Sequence, residues 1–353
     1  MSWRTGGLLA VLGLVVGFSA AQQLLLPAVL QSPEIPLVLP GPVQLPPRDF
    51  TVDFFGLTYS GSTSELIDRT VLKRGAFEKH VLFFMADLLQ AFDHAEPVYV
   101  DVGANTGQHV LFMAPRVAQV HAFEPYPPVV EKLRAQIERN RLTNVTVHAV
   151  GLGAAASTLV FQEPAEGNNG TGGFTRPEKR DESPHTMLLQ VVRGDDVLAK
   201  AGTVTVIKID VEGYERPVLE GLRGTVTANR PVLIIEITPH SVDSFTSPKA
   251  LLEVLPERYS LRHLQDPVGR ESGRYQLLER LPFETPSHFE VVAYPTELEA
   301  RIPQTNQEQD PYTQMQRYTC PRGISQSRSE LETAQTRDRS QRVSPEQDLG
   351  QGG

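Results

Sequence analysis

The sequence predicts an α/β domain built on a doubly wound, mostly parallel sheet. Short apolar runs alternate with amphipathic segments between Val98 and Ile237. Several runs are apolar at every position, as strands covered on both faces must be. Acidic residues gather where the runs end, at Asp101, Glu124, Asp210 with Glu212, and Glu236. In open parallel sheets, ligands bind beyond the carboxyl ends of the strands, where the strand order reverses. Each acid alone is explained by helix capping. Their grouping at strand ends favours a site.

The elements follow in order. Val98-Tyr99-Val100 is a strand leading into Asp101-Val-Gly-Ala-Asn-Thr-Gly107, and Gln108 to Ala114 is helical. Gln119 to Phe123 is a second strand, closed by Glu124-Pro125. Val130, Leu133 and Ile137 recur at helical spacing within Val129 to Arg141. Val145 to Val150, Val204 to Ile209 and Val232 to Ile237 are further strands, and Pro217 to Leu222 is a helix. Between the third and fourth strands, Glu163 to His185 carries Gly167-Asn-Asn-Gly170 and Gly172-Gly173, which reads either as a lid or as a passive loop. Asp195-Asp196 is expected to cap a short helix, with contact to a ligand as the alternative.

Composition narrows the function. Among 353 residues, 33 Lys+Arg face 42 Asp+Glu, a formal net charge of −9, which argues against a nucleic-acid footprint. The single cysteine, Cys320, excludes an intramolecular disulfide framework and a multi-cysteine zinc site. No His-x-x-x-His or His-Glu-x-x-His spacing occurs, so no metal ligand is assigned. His109, His148, His240 and His288 are scattered and receive no role. Asn144-Val-Thr146 and Asn169-Gly-Thr171 fit the glycosylation pattern.

Both ends lie outside the expected domain. Residues 1–21 read as a signal peptide or membrane anchor. An uncharged run of 16 residues, Gly6 to Ala21, follows Arg4, and Ser19-Ala20-Ala21 supplies small residues for cleavage. This implies export or membrane anchoring through residues 6–21, with the cytoplasmic face of a membrane as the alternative. Residues 22–49 are a linker, with seven prolines in the 21 residues from Pro27 to Pro47. Residues 50–97 are an N-terminal extension and 98–300 the main domain. Residues 301–353, with ten glutamines and few aliphatics, are expected to be a disordered tail.

The loop from Asp101 carries the first chemical signal. Gly103 and Gly107 allow a tight turn and close approach of a ligand, and the next helix aims its N–H groups there. No Gly-Lys-Ser/Thr follows, and Asn105 replaces the second glycine of a dinucleotide fingerprint, so an oxidoreductase is disfavoured. A ligand without phosphates, such as S-adenosylmethionine, suits the loop better. Glu124, 23 residues past Asp101, is placed to accept hydrogen bonds from ribose hydroxyls. In Lys208-Ile-Asp-Val-Glu-Gly-Tyr-Glu215, a strand persisting to Glu212 would put Lys208, Asp210 and Glu212 on one face. Glu215 falls in the first helical turn, where capping explains it.

These residues resemble the FkbM-type methyltransferases. The resemblance rests on Asp101-Val-Gly-Ala-Asn-Thr-Gly107, Phe123-Glu124-Pro125, Lys208 to Glu215 and Pro231 to Glu236. Asp53-Phe-Phe-Gly-Leu-Thr-Tyr and Gly75-Ala-Phe-Glu-Lys are similar to the family's N-terminal extension. Tyr214 departs from it, standing where the family often has a small residue. The resemblance implies a class I, Rossmann-like fold and methylation of a sugar, glycan or other small-molecule hydroxyl with S-adenosylmethionine as donor. On this reading Asp101, Gly103, Ala104, Asn105, Gly107 and Glu124 bind the cofactor. Asp210 and Glu212 position the acceptor, with Lys208 as electrostatic support. The competing reading is an exported, non-catalytic glycan- or ligand-binding module that keeps the fold.

Overall fold

The structure is a computed structural model that describes residues 46–92, 94–175, 185–238, 243–269, 271–285, 287–306 and 317–319. The expected leader, most of the linker and most of the tail lie outside these residues. Among the described residues, no helix is long and apolar enough to cross a membrane.

The central sheet has eight strands among the described residues. Five are parallel: β3 (Val98–Val102), β4 (Gln119–Phe123), β5 (Val145–His148), β10 (Val204–Ile209) and β11 (Val232–Ile237). They stand in the order β11-β10-β3-β4-β5. The chain runs outward from β3 to β5, then returns to build β10 and β11 on the other side. The order therefore reverses between β3 and β10, whose Asp101 and Lys208 are register partners. Three antiparallel strands extend the far edge: β12 (Tyr259–Gln265), β13 (Gln276–Leu278) and β14 (Phe289–Pro295). Sequence reading left this stretch unassigned.

Both faces of the sheet are covered, which explains the uniformly apolar strands. Tyr99, Val120, Val206, Ile234 and Val292 pack on one side against α2 (Lys79–Phe92) and α3 (Gln108–Met113). Val100, Val102, Ile207, Ile209, Leu233 and Ile235 pack on the other, against α6 (Glu215–Gly221) and α7 (Arg223–Asn229). Helix α4 (Pro127–Arg139) starts at a proline, whose fixed φ suits a first turn.

The glycine-rich stretch is not a lone loop. It belongs to a four-stranded sheet of order β6-β9-β7-β8: β6 (Gly151–Gly153), β7 (Ser157–Gln162), β8 (Gly173–Thr175) and β9 (Thr186–Arg193). Residues 176–184 lie outside the described residues. A hairpin, β1 (Asp49–Phe54) and β2 (Leu57–Ser62), docks on α4, where Ser60 N and O exchange hydrogen bonds with the Gln136 side chain, and α1 (Leu66–Arg74) follows it. Leu66 N donates to the Gly167 carbonyl, tying α1 to the glycine-rich stretch.

The tail does not begin at Arg301. Asn306 Oδ1 accepts from Tyr275 N at 2.7 Å and its Nδ2 donates to Gly273 O at 2.9 Å. Tyr318 stacks on Phe83 with centroids 3.9 Å apart and shares Asp87 Oδ2 with Tyr275. An aromatic side chain buried on the core offsets its ordering entropy, which composition alone conceals.

Candidate functional site

A cavity of about 340 Å³ opens at the carboxyl ends of β3, β4, β10 and β11. That is within the range of small-molecule sites. Its wall includes Gly103, Ala104, Asn105, Glu124, Lys208, Asp210, Glu212 and Glu236. Four of the strand-end acids, Glu124, Asp210, Glu212 and Glu236, thus meet in one place, as the doubly wound order requires.

Gly103 makes the meeting possible. Its φ is +85°, and a Cβ there would lie 1.7 Å from the Asp210 carbonyl oxygen. Any side chain would push β3 from β10. Asn105 takes φ +48°, a left-handed value that Asn tolerates better than most residues. Its N–H donates to Glu124 Oε2 at 3.0 Å, while Tyr126 N donates to Oε1 at 2.9 Å. Two backbone donors therefore fix the Glu124 carboxylate at the cavity wall. Burial nevertheless pushes its pKa up to about 7.

Two expected cofactor residues lie elsewhere. Asp101 is 1% exposed and does not line the cavity. Its carboxylate oxygens are sealed from solvent beside Tyr99 and Lys208. The period-2 alternation that makes Val100 and Val102 face one side turns Asp101 to the other, under α2. Burial raises its pKa to about 6 against the pull of Lys208. Gly107 is also outside the cavity wall. Its φ of +89° begins α3, and a Cβ would lie 2.4 Å from Leu133 Cδ1. It serves the turn and the packing of α4.

The strand β10 ends at Ile209, so it does not carry Glu212. Glu212 reaches the cavity instead through a turn at φ +51°. No hydrogen bond among the described residues engages its carboxyl, and burial with nearby Asp210 raises its pKa to about 7. Asp210 Oδ2 accepts from Lys208 Nζ at 2.8 Å. Burial alone would raise Asp210, but the Lys208 ammonium, together with hydrogen bonds from the Glu236 carboxyl and Lys208, outweighs it and holds the carboxyl below its usual range. Lys208, 4% exposed, also faces Glu78 Oε2 at 3.9 Å. Burial alone would lower its pKa; Asp210 and Glu78 outweigh that and raise it.

Sequence reasoning assigned no role to several wall residues. Glu78 precedes α2 with φ +50° and is pushed by burial up to about 8. It faces His109 Nε2 at 3.4 Å. His109 is 8% exposed, and burial and Lys208 hold it neutral, well below the usual histidine range. His288 Nδ1 stands 3.6 Å from Glu236 Oε1. Phe161, Phe174 and Tyr214 form an aromatic side, with the Phe174 and Tyr214 centroids 5.6 Å apart. Asn168 to Gly173 close the cavity, and Asn105 Nδ2 donates to Asn169 O at 3.3 Å. These residues come from segments distant in sequence, so no spacing connects them. The one signal for Glu78 was its place in Gly75-Ala-Phe-Glu-Lys.

Other expectations resolve by geometry. Asp195 accepts from Gly224 N at 2.9 Å and Thr225 N at 2.7 Å, capping α7 rather than the short helix α5 (Gly194–Leu198) that contains it. Neither Asp195 nor Asp196 lines the cavity. Glu215 stands in the first turn of α6, and its Oε1 accepts from Gly213 N at 2.7 Å, bracing the turn before the helix. The Asn144 amide donates to Ala114 O and Val117 O, and the Asn169 amide nitrogen is sealed from solvent at the cavity wall, so neither sequon presents an accessible amide.

Fold and site together define an α/β domain with a ligand-sized cavity at the carboxyl ends of its parallel strands. The family profile described as the methyltransferase FkbM domain matches residues 101–262. That match spans 162 of the 353 residues and shows a similarity to this family over the central part of the chain. A hexuronic acid methyltransferase, AglP, of Haloferax volcanii is 27% identical over 165 residues, covering 46% of this chain and 62% of that protein. The 31-O-demethyl-FK506 methyltransferase FkbM of Streptomyces tacrolimicus is 31% identical over 175 residues, covering 41% of this chain and 66% of that protein. The chain thus spans under two thirds of the length of these relatives. The crystal structure of a methyltransferase FkbM from Methylobacillus flagellatus aligns with TM-score 0.38 at 17% identity, covering 64% of this chain and 57% of that one.

Proposed function

We propose that the protein transfers the methyl group of S-adenosylmethionine to a hydroxyl of a sugar, glycan or other small molecule. One observation carries the reading. A single cavity joins the glycine turn and Glu124 to the carboxylates Asp210 and Glu212. A donor and an acceptor held there share one wall, and methyl transfer depends chiefly on proximity and orientation.

The donor set fits the cofactor. Glu124 retains acceptor capacity for ribose hydroxyls beyond its two backbone bonds, since a carboxylate offers about four lone-pair sites. Asn169 Nδ2 is a buried cavity-wall donor with no hydrogen-bond partner among the described residues. Gly103, Ala104, Asn105 and Glu124 would hold the cofactor, which when bound supplies an electrophilic methyl on a sulfonium. Lys208 keeps Asp210 ionised, and the unengaged Glu212 carboxyl accepts the acceptor's proton. The name of the H. volcanii relative supports a sugar acceptor. A non-catalytic binding module gains no support, because the site keeps both halves of a transferase cleft.

The test uses methyl-labelled S-adenosylmethionine with the full chain and a panel of sugars and glycans. Label should pass to a hydroxyl compound, and Glu212→Gln should cut kcat at least about tenfold with little change in cofactor affinity. No labelled product from any acceptor, by a folded chain that binds the cofactor, would contradict the transferase reading.

A further inference from the structure

We infer that Glu236 and His288 carry the acceptor's proton from the cavity to solvent. The inference rests on the methyltransferase reading and adds the proton's exit to it. Sheet register builds the route. Strand β14 runs antiparallel to β11, with Glu290 opposite Glu236 and Phe289 opposite Ile237. Opposed residues share a face of the sheet, and so does the residue two positions away. His288, just before β14, therefore falls on the same side as Glu236. Its Nδ1 stands 3.6 Å from Glu236 Oε1, and both residues line the cavity. A catalytic contact of this length in an unliganded site often tightens when substrate binds. Glu236 in turn donates a side-chain hydrogen bond to Asp210.

Exposure gives the route its direction. Glu78, His109, Glu124 and Lys208 also line the cavity, but each is at most 9% exposed. Tyr126, Asp210, Glu212, Tyr214 and Glu236 are half-buried. The His288 side chain is 44% exposed. Among the described titratable groups of the wall, His288 alone is exposed to water.

Charge makes the hand-over work. Burial and the Asp210 carboxylate keep a proton on Glu236, whose pKa lies well above the usual carboxylate range. When the acceptor's O–H bond breaks, its oxygen keeps the electron pair for the new bond to the methyl carbon. The pair of the broken methyl–sulfur bond stays on sulfur, and Glu212 takes the proton. One oxygen each of Asp210, Glu212 and Glu236 lie within 4.8 Å of one another, a span one water bridges. The proton passes to Asp210 and cancels the charge that held the proton on Glu236. Glu236 then gives its own proton to His288 Nδ1, and the exposed ring releases one to water. Imidazole suits this step because it gains and loses a proton near neutral pH. The proton on Asp210 finally shifts across the hydrogen bond to Glu236, which restores both carboxyls.

The test uses the full chain, methyl-labelled S-adenosylmethionine and whichever panel sugar or glycan accepts most label. His288→Ala should lower kcat at least about tenfold, a modest share of what acid–base groups contribute. Cofactor affinity by calorimetry should not change. Imidazole added to the buffer should restore most of the lost rate, since it replaces the missing ring. Glu236→Gln keeps the shape but breaks the chain before His288, so its loss should resist imidazole. His288 is exposed, so its replacement tests the route even if Glu236→Gln does not fold. Wild-type kcat in His288→Ala, or a loss that imidazole leaves untouched, would overturn the route alone. No label transfer by the wild type would contradict the methyltransferase reading itself, and the route with it.

Discussion

Both oxygens of Glu124 already accept backbone N–H groups, from Asn105 and Tyr126. A ligand hydroxyl meeting this carboxylate finds it fixed, so little ordering entropy is lost on binding. Glu124→Ala should therefore weaken S-adenosylmethionine binding at least about tenfold by calorimetry, through lost contact and a loosened Asn105 turn. Asp101 contrasts with it. The sequence places the two acids alike, one after each strand, and predicts cofactor contact for both. Their place in the strand separates them: Asp101 lies within β3, which runs on to Val102 and turns it under α2 beside Lys208, whereas Glu124 follows the last residue of β4. Strand-end position was readable from the residue pattern, but the last residue of each strand was not. Gly103, Asn105, Asp210 and Glu212 were legible because the turn needs those backbone angles or the cavity needs those charges. Glu78, His109 and His288 were not, since only the folded sheet brings them together.

At the scale of elements, Asp195 shows how a cap can serve a neighbour. It begins α5 in sequence but holds the first amides of α7. Asp195→Ala should lower stability by about 1 kcal/mol in denaturant unfolding, the usual cost of a lost cap, with cofactor binding unchanged. The edge between β4 and β5 carries a pH response. His121 Nδ1 and His148 Nε2 are 3.1 Å apart, and His148 stacks on Phe123. Burial lowers both, His148 to about 4. Above the ordinary value of about 6.5, folded and unfolded chains are both neutral there. As pH falls from about 6.5 toward about 4, the unfolded chain takes protons first and stability is lost. His148→Phe keeps the ring stack, so its melting temperature should fall less than that of wild type over this range. An identical fall in both would refute the account. The parallel strands were readable because both faces are apolar. The antiparallel strands β12 and β13 and the strands β7 and β9 of the small sheet were not, because their half-exposed residues leave no continuous buried run.

For the whole molecule, composition misjudged the C-terminal boundary. Arg301 onward is polar, yet Tyr318 is 1% exposed against α2. Tyr318→Ala should cost about 3 kcal/mol or more of stability, as large aromatic truncations in a core do. A cost near zero would mean that the Tyr318 contact is dispensable. For the other end, we propose that the uncharged run at residues 6–21 directs the chain into or onto a membrane. Cells expressing the chain should hold it in the membrane or exported fraction, and a chain starting at Gln22 should lose that placement.

The central claim is that the switch-point cavity binds the methyl donor. Its most direct measurement is calorimetric titration of S-adenosylmethionine into the full chain, alongside Glu124→Ala and Asp195→Ala. The account predicts one site per chain, weakened at least about tenfold by Glu124→Ala and unaltered by Asp195→Ala. Wild-type affinity in Glu124→Ala, or no binding to a folded wild-type chain, would contradict it.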